Sequence, residues 1–499
     1  MIQKLLIANR GEIAVRILRA AREMGIRTVA VYSDADRDAL HVALADEAVH
    51  IGESEPANSY LNIDGVIGAA LKTNADAIHP GYGFLSERAE FAEACAQAGI
   101  IFVGPSASAM RRLGAKIDAK QLAVQAGVPI TPGFFEADAS HEQLKAAAEE
   151  IGYPIMLKAS AGGGGRGMRT VHNAEDFDEE LRIASDEALK GFGDGTMMVE
   201  KLIERPRHIE AQILADQHGT VAVLFERECS LQRRHQKLVE EAPSPVFELN
   251  TAVWDEMRHC VAELVRLAGY TGAGTAEFMY DEPSGKFYFL EVNARLQVEH
   301  PVTELITGVD LVHQQLRIAS GLPLEVPPAV LVGDRNAIHG HALEVRIVAE
   351  DPAAGFMPSI GKILAWAEPK APGIRVDTGY GPRSEVSRFY DSMIAKVIAH
   401  AATREEAIDR LRAALLDFHV LGVKTNIGYL IGILDHPAFR AGHMDTGFLG
   451  REFPDYKPDP ALPLELAAIA AHAGSAAEVR GEAKFQGAWD IVDGFRNSR

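Results

Sequence analysis

From residue 1 to about 112 the chain alternates short apolar runs with stretches in which apolar residues recur every three or four positions. KLLIANR has the pattern of a short buried strand. After Gly11, residues Ile13, Ile17, Ala20, Ala21 and Met24 fall at helical spacing. TVAVYSD is the next strand. DAIHPGYGFLSE ends a strand in a Gly/Pro loop, with Ser86 placed to cap the helix that follows, and GIIFVGPS is a further strand. This alternation predicts a doubly wound parallel sheet. The first turn, ANRGEIA, lacks G-x-G-x-x-G, so a dinucleotide is not implied there.

From about 113 to 204 the pattern gives a helix, the strand GYPIMLKAS, a glycine run, the strand MRTVHN, a helix rich in Asp and Glu, and the strand TMMVEKLI. The chain then turns to β, with RHIEAQILAD and TVAVLFERE joined at QHG, the polar stretch CSLQRRHQK expected as a loop, and a helix over about 250–268. The hairpin GTAEFMYDEPSGKFYFLEVNARLQ follows. The Pro-rich segment GLPLEVPPAVLVG marks a boundary, and beyond it lie the strands HALEVRIVAE, GKILAWAEP, GIRVDTG and SMIAKVIAHA. A helix opens at Thr403 with the capping-box pair Thr403 and Glu406, and carries Ala407, Leu411, Ala414, Leu415 and Phe418 on one face. LPLELAAIAAHAG, after about 450, predicts one more helix before a polar end.

Composition narrows the function classes. The chain has 499 residues, enough for several domains, and a formal net charge of -20. Nucleic-acid binding needs a basic footprint that such a chain lacks. Its three cysteines, Cys95, Cys229 and Cys260, are scattered and suggest neither a disulfide framework nor a zinc pattern, so a reducing, cytosol-like compartment is expected. The first twenty residues lack a signal-peptide pattern, and no apolar run reaches the roughly 18 residues of a membrane span. A mitochondrial matrix location stays open for a processed chain.

The hairpin carries the most specific chemistry. With its turn centred near Ser284, Glu277 and Glu291 sit directly opposite each other, with Cβ atoms about 4.5–5.5 Å apart. Asn293, two residues on, shares the face of Glu291. Such an oxygen set suits a hard cation, Mg²⁺ or Mn²⁺, bridging phosphates; a solvated polar face is the alternative. Arg295, Gln297 and Glu299 follow at alternate positions. QRRHQK is a dense donor cluster in an acidic chain, where solvation or neutralisation by Glu240 and Glu241 is the plainer meaning. Lys158 ends an apolar strand and can reach a phosphate or snorkel. Lys116 has the pattern of an exposed helix lysine. His208, Glu210 and Gln212 alternate on one strand face, expected to face solvent, and Arg346 carries no local signal.

These stretches together resemble the biotin carboxylase family of ATP-grasp enzymes, over nearly the whole chain to about residue 450. The similarity rests on LIANRGEIAVRI, HPGYGFLSE, ASAGGGGRGM, CSLQRRHQK, GTAEF, FLEVNARLQVEHPVTE, RIVAEDP and YDSMIAK. It implies a Rossmann-like domain over 1–112, an ATP-grasp domain over 113–330 with a glycine-rich lid at about 131–204, a β-rich C-terminal domain over 331–448, and a tail, 449–499, leading towards a following domain. By motif match, Lys116, Lys158, Gly163, Gly164, Gly165, Gly167, Met168, Glu200, Lys201, His208, Gln232 and His235 would contact ATP. Glu277, Glu291 and Asn293 would hold two Mg²⁺ ions. Lys237, Arg295, Gln297, Val298 and Glu299 would bind bicarbonate, with Glu299 as general base, and Arg346 would face the biotin ureido oxygen. The implied reaction is ATP-dependent carboxylation of biotin through carboxyphosphate, the first half-reaction of an acyl-CoA carboxylase.

No Met-Lys-Met biotinylation site occurs in the chain. The implied partners are therefore a biotin carboxyl carrier protein or domain and a carboxyltransferase. The tail AWDIVDGFRNSR is similar to the segment that joins the carboxylase part to later domains in acyl-CoA carboxylase α-subunits. The helix around Arg19 and Glu23, an i,i+4 pair, matches a homodimer surface. Ala115 departs from the acidic residue that family members often carry there. Two alternatives stay open. One is another ATP-grasp ligase that makes an acyl- or carboxyphosphate for a different nucleophile. The other is a non-catalytic scaffold subunit, against which stand the intact catalytic positions.

The glycine run fits neither a linker, being flanked by apolar strands, nor a dinucleotide loop, being followed by a strand. It is not a Walker A loop either, since Met168 stands where Lys would follow. A strand–glycine loop–strand lid remains, in which backbone approaches phosphates closely. Mg-ATP is expected to protect the glycines from limited proteolysis; equal cleavage with and without it would contradict the lid.

Overall fold

The computed structural model describes residues 1–136, 139–160, 167–234, 236–247 and 251–457. Gly163, Gly164, Gly165, His235 and the expected tail helix lie outside the described residues.

Near the N-terminus five parallel strands run in the order Glu47–Gly52, Arg27–Ser33, Lys4–Ile7, Ala77–His79, Ile101–Phe102. Lys4–Ile7 is central and buried throughout, as its apolar run requires. The helix Gly11–Glu23 buries Ile13, Ile17, Ala20 and Ala21, which is the face its spacing gives. Ser86 does not cap the next helix. That helix begins at Ala89 with Arg88 before it, and the Ser86 hydroxyl is buried without a hydrogen-bond partner.

A four-stranded antiparallel sheet follows, in the order Gly133–Phe134, Met197–Lys201, Ile155–Ala159, Met168–Val171. Leu157, Ala159, Val171 and Val199 pack with Phe177, Ala184 and Ala188 of the acidic helix Phe177–Phe192 in a small core of their own. Gly167, where the chain re-enters this sheet, has φ +70°, and a Cβ there would lie 2.9 Å from the Ala159 Cβ. Only glycine fits that position without displacing the neighbouring strand.

One eight-stranded antiparallel sheet dominates the rest. Its order is Lys286–Asn293, Gly272–Asp281, Arg207–Ala215, Val221–Arg233, Gln236–Ala242, His341–Val348, Met393–Ala401, Ile374–Thr378. The polar stretch CSLQRRHQK is not a loop. It is strand up to Arg233 and again from Gln236, with Cys229, Ser230 and Leu231 buried. The sheet also spans the Pro-rich boundary, because Val239 before it pairs with Val345 after it. Two separate apolar cores flank this join, and each draws on both sides of the segment: Ala342 and Ile398 belong to the larger core, Leu231, Leu238 and Val239 to the C-terminal one. Thr403 caps the helix Arg404–Leu416 by accepting from the Glu406 amide at 3.3 Å, and Ala407, Leu411, Ala414 and Leu415 face inward as patterned. Gly379 comes back against the first helix; a Cβ there would meet the Gly11 carbonyl carbon at 2.4 Å. No helix among the described residues is long and apolar enough to cross a membrane.

A buried ionic clasp fixes the join between the central and C-terminal strands. Glu241 accepts from Arg404 at 2.7 and 2.9 Å and lies 2.6 Å from His341 Nε2. Burial alone would raise the Glu241 pKa, but Arg404 and His341 outweigh it and hold it at about 2. A depressed carboxylate stabilises the fold above its unfolded value, near 4.5, and that stability is lost as pH falls towards 2. Glu241→Gln is therefore expected to cost about 3 kcal/mol at pH 7 in urea unfolding, with the gap to the parent closing below about pH 4. An equal gap at pH 7 and pH 3 would contradict the assignment.

Candidate active site

Three sheet pairings line up one row of side chains. Glu291 is opposite Glu277, Glu277 is opposite Glu210, and Glu210 is opposite Arg227. Paired residues share a face, so three carboxylates stand abreast with a guanidinium at the end of the row. The Glu277–Glu291 pairing depends on a local irregularity. From the tip inward the register is Asp281↔Lys286 to Phe278↔Phe289, which would set Leu290 opposite Glu277. A one-residue shift at Leu290 brings Glu291 there instead.

Lys237 holds the row together. Its Nζ lies 2.5 Å from Glu210 Oε2, 2.8 Å from Glu277 Oε1 and 2.7 Å from Glu299 Oε1. Burial disfavours the charged lysine, but these carboxylates raise its pKa well above the ordinary lysine value. Glu277 also receives Asn293 Nδ2 at 2.9 Å and Gln297 Nε2 at 3.2 Å, and lies 3.1 Å from His208 Nε2. Burial pushes the Glu277 carboxyl up, yet Lys237 and His208 bring it well below the usual range. Glu291 differs. It lines the cavity with no hydrogen bond or ion pair among the described residues, and burial together with the Glu277 charge raises its pKa. A buried carboxylate raised by its neighbour and left without a protein donor fits a cation shared with Glu277 and the nearby Asn293 amide.

Glu299 is wholly buried at the end of the loop after Asn293, just before the helix His300–Thr307. Its second oxygen accepts from Arg346 at 3.0 Å, and Arg346 donates through Nε to Glu240 at 2.6 Å. Burial would raise the Glu299 pKa, but Lys237, Arg346 and Arg227 hold it well below the carboxylate range. Arg295 donates to Glu87 at 2.9 Å, Gln297 at 3.0 Å and Asn293 at 3.0 Å. The Val298 carbonyl accepts from the buried Lys396 at 2.5 Å.

This network adjoins one cavity of about 1020 Å³, walled by all three parts of the chain. Lys116, Lys158, Met168, Glu200, Lys201, His208, Gln232, Lys237, Glu277, Glu291, Asn293, Arg295, Gln297, Val298 and Arg346 line it. Glu299 does not, although its partners Lys237 and Arg346 do. Lys116 is not an exposed helix lysine but begins the helix Lys116–Gln125 at the cavity wall, where burial lowers its pKa. The Lys201 amine donates to the carbonyls of Gly152 at 2.8 Å and Tyr153 at 3.3 Å. Gln232 is 2.9 Å from His208 Nδ1.

The face of His208, Glu210 and Gln212 is buried, not solvated. Arg227 lies across it, bonded to Glu210, to Gln212 at 2.6 Å, to Thr303 at 2.9 Å and to Thr275 at 3.1 Å. Sequence reasoning gave no role to Glu210, Arg227, Glu87 or Lys120. Alternation marks a polar strand face but cannot say whether water or another layer covers it. Lys120 had one available signal, its i,i+4 spacing from Lys116.

A glycine-bearing antiparallel lid beside a sheet face of paired carboxylates and lysines defines an ATP-dependent ligase of the ATP-grasp kind. Residues 1–110 match the model for the biotin carboxylase N-terminal domain, 115–326 that for the carbamoyl-phosphate synthase L chain ATP binding domain, and 344–451 that for the biotin carboxylase C-terminal domain. The chain is 48% identical to biotin carboxylase 1 of Bacillus subtilis over 449 residues, 90% of this chain and 98% of that one. It is 46% identical to the propionyl-CoA carboxylase alpha chain of Ruegeria pomeroyi over 504 residues, 96% of this chain and 73% of that one. The biotin carboxylase domain dimer of Hydrogenobacter thermophilus 2-oxoglutarate carboxylase, solved with MgADP, ADP and bicarbonate, superposes with a TM-score of 0.86 at 45% identity, over 92% of this chain and 99% of that one. The chain belongs to the biotin carboxylase family.

Removing Lys237 would leave Glu210, Glu277 and Glu299 facing one another without their common cation. Lys237→Met is expected to cost about 3–5 kcal/mol in urea unfolding, partly recovered by adding Glu210→Gln. A loss below about 1 kcal/mol would show that the carboxylates are neutralised in another way.

Proposed function

We propose that this chain carboxylates biotin, presented on a separate carrier protein or domain, using ATP and bicarbonate, and that the residues described above divide the work. The observation that carries this reading is the convergence of Lys237, Arg295, Arg346 and the buried Glu299 beside the carboxylate pair Glu277 and Glu291. The proposed units are 1–112, 113–330 with its lid at about 131–204, 331–448, and the tail 449–499.

ATP would occupy the side of the cavity bordered by Lys116, Lys158, Met168, Glu200, Lys201, His208 and Gln232, with Gly163, Gly164, Gly165, Gly167 and His235 as its further contacts. Mg²⁺ or Mn²⁺ held by Glu277, Glu291 and Asn293 would neutralise charge on the phosphates. Bicarbonate would lie against Lys237, Arg295, Gln297 and Val298. The resting contacts keep Glu299 ionised and therefore able to accept a proton, though weakly basic. An anion that draws Lys237 and Arg346 towards itself removes positive charge from Glu299 and strengthens it as a base at the moment bicarbonate must be deprotonated. Carboxyphosphate would then release CO₂ and phosphate, the phosphate would take the biotin N1 proton, and Arg346 would stabilise the ureido oxygen as negative charge develops.

The match to an alpha chain over 96% of this chain supports an α-subunit-type carboxylase, with a carboxyltransferase as the further partner. Pairing of two copies would use the exposed face of the helix Gly11–Glu23, where Arg19 is exposed and Glu23 lies 3.1 Å from His313.

The test is bicarbonate-dependent ATP cleavage stimulated by free biotin, with carboxybiotin as product. Cleavage that biotin does not stimulate, with no carboxybiotin formed, would favour a ligase acting on another nucleophile. Glu299→Gln is expected to abolish turnover while ATP still binds, measured by calorimetry beside a steady-state assay; near-normal turnover would refute its role as base.

A further inference from the structure

Glu200 is fully buried on the lid strand, and its two oxygens are claimed by different lysines. Lys120 Nζ lies 2.6 Å from Oε1, and Lys158 Nζ lies 2.6 Å from Oε2. Lys120 comes from the helix Lys116–Gln125 and Lys158 from the strand Ile155–Ala159, so the trio ties that helix to two lid strands. The lysines are not equivalent. Lys120 has 3% of its side chain exposed and sits 4.7 Å from the Phe135 ring centroid, whereas Lys158 has 12% exposed. Two ammonium groups share one carboxylate, which leaves one positive charge in excess beside the cavity.

On the reading above, Lys158 turns to the phosphates of ATP, and to do so it must leave Glu200. With no second lysine, its departure would strand a buried carboxylate without a counter-ion, and Lys158 would be held back. We propose that Lys120 is a positioning residue, the resident counter-ion of Glu200 that frees Lys158 for the phosphates. Nothing in the sequence motifs assigns Lys120 a role. The second cation explains why a lid carboxylate can be so deeply buried next to a lysine that has to move.

The inference rests on Lys158 being an ATP ligand, and the test separates the two. Steady-state kinetics of the full chain with Mg-ATP, bicarbonate and biotin would compare the parent with Lys120→Met, Lys120→Arg, Glu200→Gln and the double variant Lys120→Met/Glu200→Gln. In Lys120→Met, Glu200 keeps Lys158, so the resting structure stays neutralised while the ATP contact weakens. The KM for ATP is expected to rise roughly tenfold, on the scale of one charge-assisted hydrogen bond, with the KM for bicarbonate and biotin unmoved. Lys120→Arg should stay near the parent. Measured against Glu200→Gln alone, in which Lys158 has no anion to leave, adding Lys120→Met should raise the KM for ATP no further, a result that a purely structural lysine would not give. An unchanged KM for ATP in Lys120→Met, or a further rise when it is added to Glu200→Gln, overturns the proposal. Should Lys120→Met fail to fold, Lys120→Gln, which keeps a donor to Glu200, carries the same comparison. A parent that does not bind ATP would instead sink the underlying reading.

Discussion

A single ammonium group bearing on Glu210, Glu277 and Glu299 is the constraint from which the site follows. Antiparallel pairing sets Glu210, Glu277 and Glu291 abreast, and three adjacent carboxylates under a protein layer would not stay ionised alone. Lys237 gives two of them a common partner and extends to Glu299, which arrives from a different segment. Arg227 closes the row from one end and Arg346 reaches Glu299 from the C-terminal strands. Glu291 is then the carboxylate left over, open to the cavity. Charge is thus distributed so that Glu291 keeps a raised pKa at the cavity while the buried Glu299 stays ionised.

This arrangement requires the sheet to be continuous. Arg346 meets Glu299 because the strand Gln236–Ala242, which begins beside Lys237, pairs directly with His341–Val348. The Glu241 clasp with His341 and Arg404 stands at the far end of that same pairing. The strands that order the site therefore also join the central and C-terminal parts.

Much of the architecture was legible in the sequence, because the parallel sheet, the lid strands and the helix at Thr403 follow their apolar periods. The opposition of Glu277 and Glu291 was legible too, although for an incomplete reason. A turn centred on Ser284 gives the right pair, yet the observed tip register is offset by one residue and the irregularity at Leu290 restores it. No pattern in FYFLEVN announces that shift. The burial of His208, Glu210 and Gln212 was not legible, since a strand lining a cleft alternates in the same way as one facing water. The strand character of CSLQRRHQK was hidden by its polarity, although Arg233 pairs with Glu350 and Lys237 with Glu210, Glu277 and Glu299. Lys120 escaped notice because its partner Glu200 is 80 residues away, and only the fold brings them together.

The approach of Gly379 to Gly11 has a consequence for how the protein is made. The cavity wall takes residues 9–13 from the first turn of the chain and 389–393 from near the end of the described fold. The five-stranded sheet is complete once about residue 102 has been synthesised. The catalytic space cannot close until nearly three hundred more residues have left the ribosome. An incomplete chain can therefore hold folded parts before this cavity is enclosed.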